Sequence, residues 1–411
     1  MKRGLNSDDM QKNNRITVFR MLLEKGPMSR TQLSAEVGLQ KATITNIING
    51  FTSMGIVDVD GDSAAGRRAE KICLKLDHLY VMSMGITRKD FQIALYTIDG
   101  RQLELEHYEF HKEDVLEDTV RRMAGKASSM LHRYGDKHVL GICVAVPGPY
   151  MRDKRNGNEV FDVTQFPMFN QLRLREILED TLGRPVTMFH DAKLSALAEY
   201  RNAPEAREDR NISLMVIRSK GYGIGVGMVI NQKIVEGQLG IAGEVGYMGL
   251  NYNGDKEHSS FEACAGTDSV VRYMRERRYE FPHTILKEDS SYLDVIQAYK
   301  EGDPLGGWAV SKMAWMLSYG IANLIYTINP DCIIIGPQYP DDEAFLGQVK
   351  GNLRTMIHPL LAERVHIRSS KLRYDSFLLG GYYYLIEKLL KKTNFFDMIR
   401  EVMNVEENRR V

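Results

Sequence analysis

The 411-residue sequence predicts an α/β protein in which a small helical module precedes a larger body of alternating strands and helices. Three observations support that class. Apolar stripes at helical spacing run up to Gly55, and from Tyr80 onward strand-like apolar runs alternate with amphipathic stretches. Farther on, Gly221, Gly223, Gly225 and Gly227 remove every second side chain between the apolar runs 214–217 and 228–230. That pattern reads as a strand, a tight glycine turn and a returning strand, with bare backbone against which a ligand could lie.

In the N-terminal module, Ile16, Phe19, Leu22 and Leu23 share one helical face, and Gly26-Pro27 stops the helix. Ser29 followed by Gln32 fits a capping box for a second helix bearing Leu33 and Val37, which Gly38 ends. In a third helix, Ile44, Ile47, Ile48 and Phe51 form an apolar stripe, leaving Gln40, Lys41, Thr43, Thr45 and Asn46 on the outer side. Segments 56–59 and 71–74 then alternate like two strands around a tip that carries Arg67 and Arg68. Together these features make a winged helix-turn-helix, whose third helix enters the major groove of double-stranded DNA. Lys41, Arg67 and Arg68 suit phosphates, while Thr43, Thr45 and Asn46 are short polar groups able to reach base edges; Arg30 and Gln40 complete the candidate DNA-binding set. The plain alternative is a protein-binding module with a solvated turn.

In the body, residues 91–96 and 102–110 read as antiparallel strands around Asp99-Gly100, 115–134 as a helix, and 139–146 as a buried strand stopped by Pro147-Gly148-Pro149. Leu174, Ile177, Leu178 and Leu182 mark a helix closed by Gly183. Strand 186–189 delivers His190 and Asp191 to the mouth of the next helix, and strand carboxyl ends are where α/β folds usually hold ligands. A long helix from about Trp308 to Ile328, the strand 332–336 and a frayed polar tail at 404–411 complete the chain.

Net charge is zero but unevenly placed. Up to Leu76 there are 12 Lys+Arg against 8 Asp+Glu, or +4, leaving 54 − 12 = 42 against 54 − 8 = 46, or −4, for the remainder. A mildly basic head on a mildly acidic body suits an anionic partner at one end. The four cysteines, Cys73, Cys143, Cys264 and Cys332, lack paired spacing for a disulfide framework or zinc site and read as buried thiols of a cytoplasmic protein. No apolar run approaches a membrane span, so a soluble protein with no membrane partner is expected.

The run Gly-x-Gly-x-Gly-x-Gly, followed by Ala242-Gly243-Glu244-Val245-Gly246 and preceded by Val146-Pro147-Gly148-Pro149 and Asp191-Ala192, resembles the ROK family of bacterial sugar kinases and sugar-responsive repressors. The resemblance covers about residues 79–390, and the module before it is similar to that of the family's repressor branch. It implies a two-lobed, actin-like (sugar kinase/ribonuclease H-like) body with a cleft. The expected division is a winged helix-turn-helix at 1–76 and an effector domain at 79–395. Its first lobe would run over about 79–200 plus the C-terminal helix, and its second over about 210–375.

By that resemblance Asp191 stands where the kinases hold their catalytic base, here vestigial, and His190 where they have an asparagine. Gln165, Asp191, Glu244 and Glu262 match groups that contact sugar hydroxyls, and Tyr247 replaces a zinc-binding histidine while keeping a hydroxyl and a ring face. With His190 these form the candidate effector set, and carboxylates suit it because each accepts two hydroxyl hydrogen bonds. The nucleotide elements depart from the kinase pattern: Gly85 replaces the acid of the first phosphate loop, Thr87, Arg88 and Lys89 its glycines and threonine, and Gly336-Pro337 a glycine pair near adenosine. The family's structural zinc site lacks its cysteines, since 251–261 contains none. The expectation is therefore a DNA-binding regulator, a repressor of carbohydrate-utilisation genes, with no metal, cofactor or catalytic residue. It would bind operator DNA and a sugar or sugar-derived effector as a homo-oligomer, dimer or tetramer. An active sugar kinase with an accessory DNA-binding module is the alternative.

Overall fold

The computed structural model describes residues 7–60, 70–76, 78–87, 89–111, 113–153, 155–163, 167–220, 223–250, 259–373 and 375–410. The head consists of α1 (Ser7–Lys25), α2 (Arg30–Val37), α3 (Lys41–Ser53) and a hairpin of β1 (Val57–Asp60) and β2 (Lys71–Leu74). Local chemistry sets its boundaries. Ser29 Oγ accepts from the Gln32 amide while the Gln32 side chain accepts from the Ser29 amide, and Gly38 ends α2 at φ +71°, a left-handed cap that glycine adopts without strain.

Two sheets of five strands follow among the described residues, and they share one plan. In the first lobe, β3 (Tyr80–Ile86), β4 (Asp90–Thr97) and β5 (Gln102–Glu109) form an antiparallel meander. After α4 (Leu116–Tyr134), β6 (Val139–Val146) pairs parallel with β3. A side hairpin, β7 (Tyr150–Arg152) and β8 (Glu159–Phe161), then leads through α5 (Pro167–Asn170) and α6 (Leu174–Leu182) to β9 (Thr187–His190), which lies parallel to β6. The order is β5-β4-β3-β6-β9.

Helices α7 (Asp191–Asn202) and α8 (Pro204–Glu208) cross to the second lobe, where β10 (Ser213–Lys220), β11 (Gly223–Ile230) and β12 (Lys233–Ile234) again form a meander. Then come α9 (Phe261–Ala265), α10 (Ser269–Arg277), α11 (Tyr292–Lys300), α12 (Pro304–Ile328), β13 (Cys332–Ile335), α13 (Glu343–Met356), α14 (Pro359–Arg364) and β14 (His366–Ser369). Strands β13 and β14 continue the sheet in parallel, giving the order β12-β11-β10-β13-β14. The long helix starts earlier than the expected Trp308, because the Asp303 carboxylate accepts from the Leu305 and Gly306 amides and Pro304 occupies the first turn.

Helix α15 (Ser376–Leu390) returns to the first lobe and packs on α7, β3 and β6. Beyond it, α16 (Phe395–Arg410) takes in residues 404–410 of the stretch expected to fray. Phe395, Phe396, Ile399 and Val402 lie on its buried side. The Phe19 ring stands 5.3 Å from Phe395 and 5.8 Å from Phe396, while Phe51 stands 5.3 Å from Phe396. One apolar cluster therefore runs from the head through α16 into the first lobe. No helix of the described residues is long and apolar enough to cross a membrane.

Candidate effector cleft and DNA-binding face

The cleft forms where the carboxyl end of β9 meets the second lobe. His190 caps α7: its Nδ1 accepts from the Ala192 amide at 3.2 Å. Asp191 Oδ1 accepts from that same amide at 2.6 Å, and its side chain stays a quarter exposed. With Nδ1 accepting, the ring proton sits on Nε2, which donates across the cleft to Glu244 Oε1 at 2.9 Å. Both side chains are largely buried. Gly148 makes this bridge possible, since a Cβ there would overlap the His190 ring and the Glu244 carboxylate.

Asp191, Glu244, Tyr247 and Glu262 line the same cavity as His190, so the structure brings together five of the six candidate effector residues. Gln165 lies outside the described residues. Tyr247 sits on the turn Val245–Tyr247 and is half exposed, while Glu262 opens α9 beneath Gly246. The cavity measures about 90 Å³, far below the roughly 300–1,000 Å³ of ordinary ligand clefts.

The glycine run divides its tasks. Gly223 and Gly225 border the cavity, whereas a Cβ on Gly227 would overlap the Ala192 carbonyl oxygen. The bareness of Gly227 thus serves the packing of β11 on α7 rather than a ligand, which corrects the expectation for that position. Gly221 lies outside the described residues.

Two buried cations were missed from sequence. Lys193 Nζ donates to the Gly240 carbonyl, tying α7 to the opposite lobe, and Arg218 donates to Ser195 Oγ from the cavity wall. Arg218 ends the apolar run of β10, which was the available signal there, whereas α7 carries several other polar residues and gave none for Lys193.

At the first phosphate-loop position, a Cβ on Gly85 would overlap the Phe377 ring of α15. Thr87 borders the cavity and its hydroxyl is engaged by Asp90, while Arg88 lies outside the described residues.

The residues present do not fit the zinc ion implied by the family. Tyr247 offers only a phenol, Cys264 is buried in the second-lobe core with its thiol pushed up by burial, and 251–258 lie outside the described residues. Elsewhere, Glu205, Cys332 and His366 lie close together. There the Glu205 carboxylate is taken by Arg368 Nε at 3.0 Å and His366 Nδ1 at 2.7 Å, and burial pushes the Cys332 thiol up to about 12. That arrangement is an ion-pair cluster rather than a thiolate metal centre.

On α3, Ile44, Ile47, Ile48 and Phe51 face the core, and Gln40, Lys41 and Asn46 are exposed. Thr43 and Thr45 are half-buried, and Thr45 Oγ1 donates to the Lys41 carbonyl at 2.9 Å. Arg30 pairs with Glu70 at 2.8 Å, just ahead of β2 on the tip side of the hairpin. Arg67 and Arg68 lie outside the described residues. Asn49, exposed one turn beyond Thr45, belongs to the same outward face; the i, i+4 spacing was the signal for it.

The profile of the ROK family matches residues 81–388. A xylose repressor of Caldicellulosiruptor bescii is 26% identical over 398 residues, covering 92% of this chain and 96% of the relative. The DNA-binding transcriptional dual regulator NagC of Escherichia coli is 24% identical over 382 residues, covering 90% and 92%. Among solved structures, a ROK family transcriptional regulator homologous to the Escherichia coli MLC protein superposes with a TM-score of 0.75 at 22% identity, covering 97% of this chain and 99% of that one. A ROK family glucokinase from Streptomyces griseus, in complex with glucose and AMPPNP, superposes with a TM-score of 0.58 at 19% identity, covering 74% and 98%. The sheet plan, the cleft and the matched span agree: the chain belongs to the ROK family.

Proposed function

We propose that this chain is a sequence-specific DNA-binding transcriptional regulator, a repressor of carbohydrate-utilisation genes, whose kinase-like body binds a sugar or sugar-derived effector without phosphorylating it. One observation carries the non-catalytic reading: the Phe377 ring fills the space into which an acid at position 85 would project. Without that acid the cleft has no carboxylate at the position that directs magnesium in the kinases, while Asp191, Glu244 and Glu262 still offer acceptors to a polyol. The names of the repressor relatives support the regulatory reading and, with it, a sugar as effector class.

The shared apolar cluster makes head and first lobe one mechanical unit. A pyranose exceeds the present cavity, so binding requires the lobes to part, which carries the head with the first lobe. In a dimer held through the second lobe, that motion alters the spacing of two recognition helices along the operator. Trp315, Tyr319 and Tyr326 form an exposed aromatic stripe on α12 and supply a self-association surface on that lobe. Substituting Trp315→Glu with Tyr319→Glu should then convert the oligomer to monomer in light scattering.

The deciding experiment measures operator affinity, on a fragment selected from random DNA, across a panel of sugars, and ATP turnover with the same sugars. A sugar that changes operator affinity with no ATP hydrolysis is the expected result. Sugar-dependent ATP turnover would overturn the proposal.

A further inference from the structure

A larger cavity lies outside the cleft, at the edge of the first lobe, where the starts of β6 and β9 meet α15 and α16. It measures about 800 Å³, within the usual range for ligand sites, and exceeds the 90 Å³ effector cleft. Leu140, Leu385, Leu389 and Met398 give it an apolar floor. Its rim carries Lys137, Arg184, Lys388 and Lys392 against the single carboxylate of Glu401, a balance of 4 − 1 = +3.

None of the four cations has a carboxylate partner among the described residues. Arg184 donates to the carbonyls of Val139 and Asp136, each at 2.8 Å, and Lys388 Nζ donates to Thr187 Oγ1 at 2.7 Å. Partial burial, together with Arg152, Lys392 and Arg175, holds the Lys388 ammonium below the ordinary lysine value. Like charges gathered around an apolar cavity repel one another, and an anion relieves that repulsion.

We infer a second ligand site here, separate from the interlobe cleft, for a small organic dianion with an apolar tail, of the phosphate monoester class. The charged head would sit among Lys137, Arg184, Lys388 and Lys392, and the tail against the leucines and Met398. A phosphate oxygen accepts from lysine and arginine without loss of their existing bonds, because Arg184 retains further N–H groups and a lysine ammonium carries three. One wall of the site is α16, the helix whose phenylalanines enter the head.

The test is calorimetric titration of the full chain with hexyl phosphate, against hexanol and inorganic phosphate as half-ligands. Hexyl phosphate should bind about tenfold or more tightly than either half. The rim pair Lys388→Gln with Lys392→Gln should weaken it by about tenfold or more while the chain stays folded in a melting curve. Glu244→Gln, in the other cavity, should leave hexyl phosphate affinity as it was. No heat at millimolar probe, equal binding by the double variant, or loss of binding in Glu244→Gln would each overturn the inference. So would an operator affinity lowered in the double variant as much as in Lys41→Ala, because the rim would then be a DNA contact.

Discussion

Replacing Glu244 by Gln removes one charge from the cleft while keeping its shape. In the wild type Oε1 accepts from His190 Nε2 at 2.9 Å, and on the proposed function Oε2 would accept from a ligand hydroxyl. Glutamine can still accept from His190 through its carbonyl, but its amide then presents a donor where the hydroxyl needs an acceptor. A hydrogen bond to a charged partner is worth about 1.5–3 kcal/mol, so the sugar should bind roughly 10- to 150-fold more weakly. The His190 bond falls from charge-assisted to neutral, which costs about 1 kcal/mol of stability. Titration calorimetry with the sugar active on operator binding measures the first effect, and chemical denaturation the second. Wild-type sugar affinity in a folded Glu244→Gln variant would refute the placing of Glu244 against the effector.

Other expectations concern the head, the phosphate corner and the long helix. Lys41→Ala should weaken operator binding across sequences and reduce the slope of log affinity against log salt by about 1, read by fluorescence anisotropy at several salt concentrations. Gly85→Ala should destabilise the fold by about 1–3 kcal/mol through overlap with Phe377, and Phe377→Ala in the same chain should recover part of that loss in urea denaturation. Asp303→Ala should cost about 0.5–2 kcal/mol by uncapping α12. Though burial opposes it, hydrogen bonds from Gly306, Ile285, Thr284 and Leu305 hold the Asp303 carboxyl below its ordinary value. Its stabilising contribution is therefore present above the ordinary carboxylate pKa and lost as pH falls through the lower, folded value. The wild-type and alanine denaturation curves should converge in acid.

Legibility from sequence followed the range of the interactions. The capping box at Ser29 and Gln32, the left-handed caps at Gly38 and Gly183, and the stripe of α3 are settled within a few residues, and each was readable. The place of His190 and Asp191 at the carboxyl end of a strand was readable too, whereas Glu244, Tyr247 and Glu262 entered through the family resemblance. Long-range packing was not readable. That Gly85 makes room for Phe377, that Gly227 serves α7 rather than a ligand, and that Lys193 reaches Gly240 depend on partners far along the chain. Helix α16 escaped because its second half is polar and its phenylalanines acquire meaning only beside Phe19 and Phe51.

The phenylalanine box also sets an order of events during synthesis. Helix α3 ends at residue 53 and α16 begins at residue 395, so 394 − 53 = 341 residues are translated between the two halves of that packing. At about 5–20 residues per second, the head waits roughly 17–70 s for the aromatic partners of Phe19 and Phe51. A chain cut short before Phe395 would carry a head whose apolar face stays uncovered, the kind of surface that chaperones and proteases recognise. On the function proposed above, competence to occupy an operator is thereby tied to translation having passed the far end of the body.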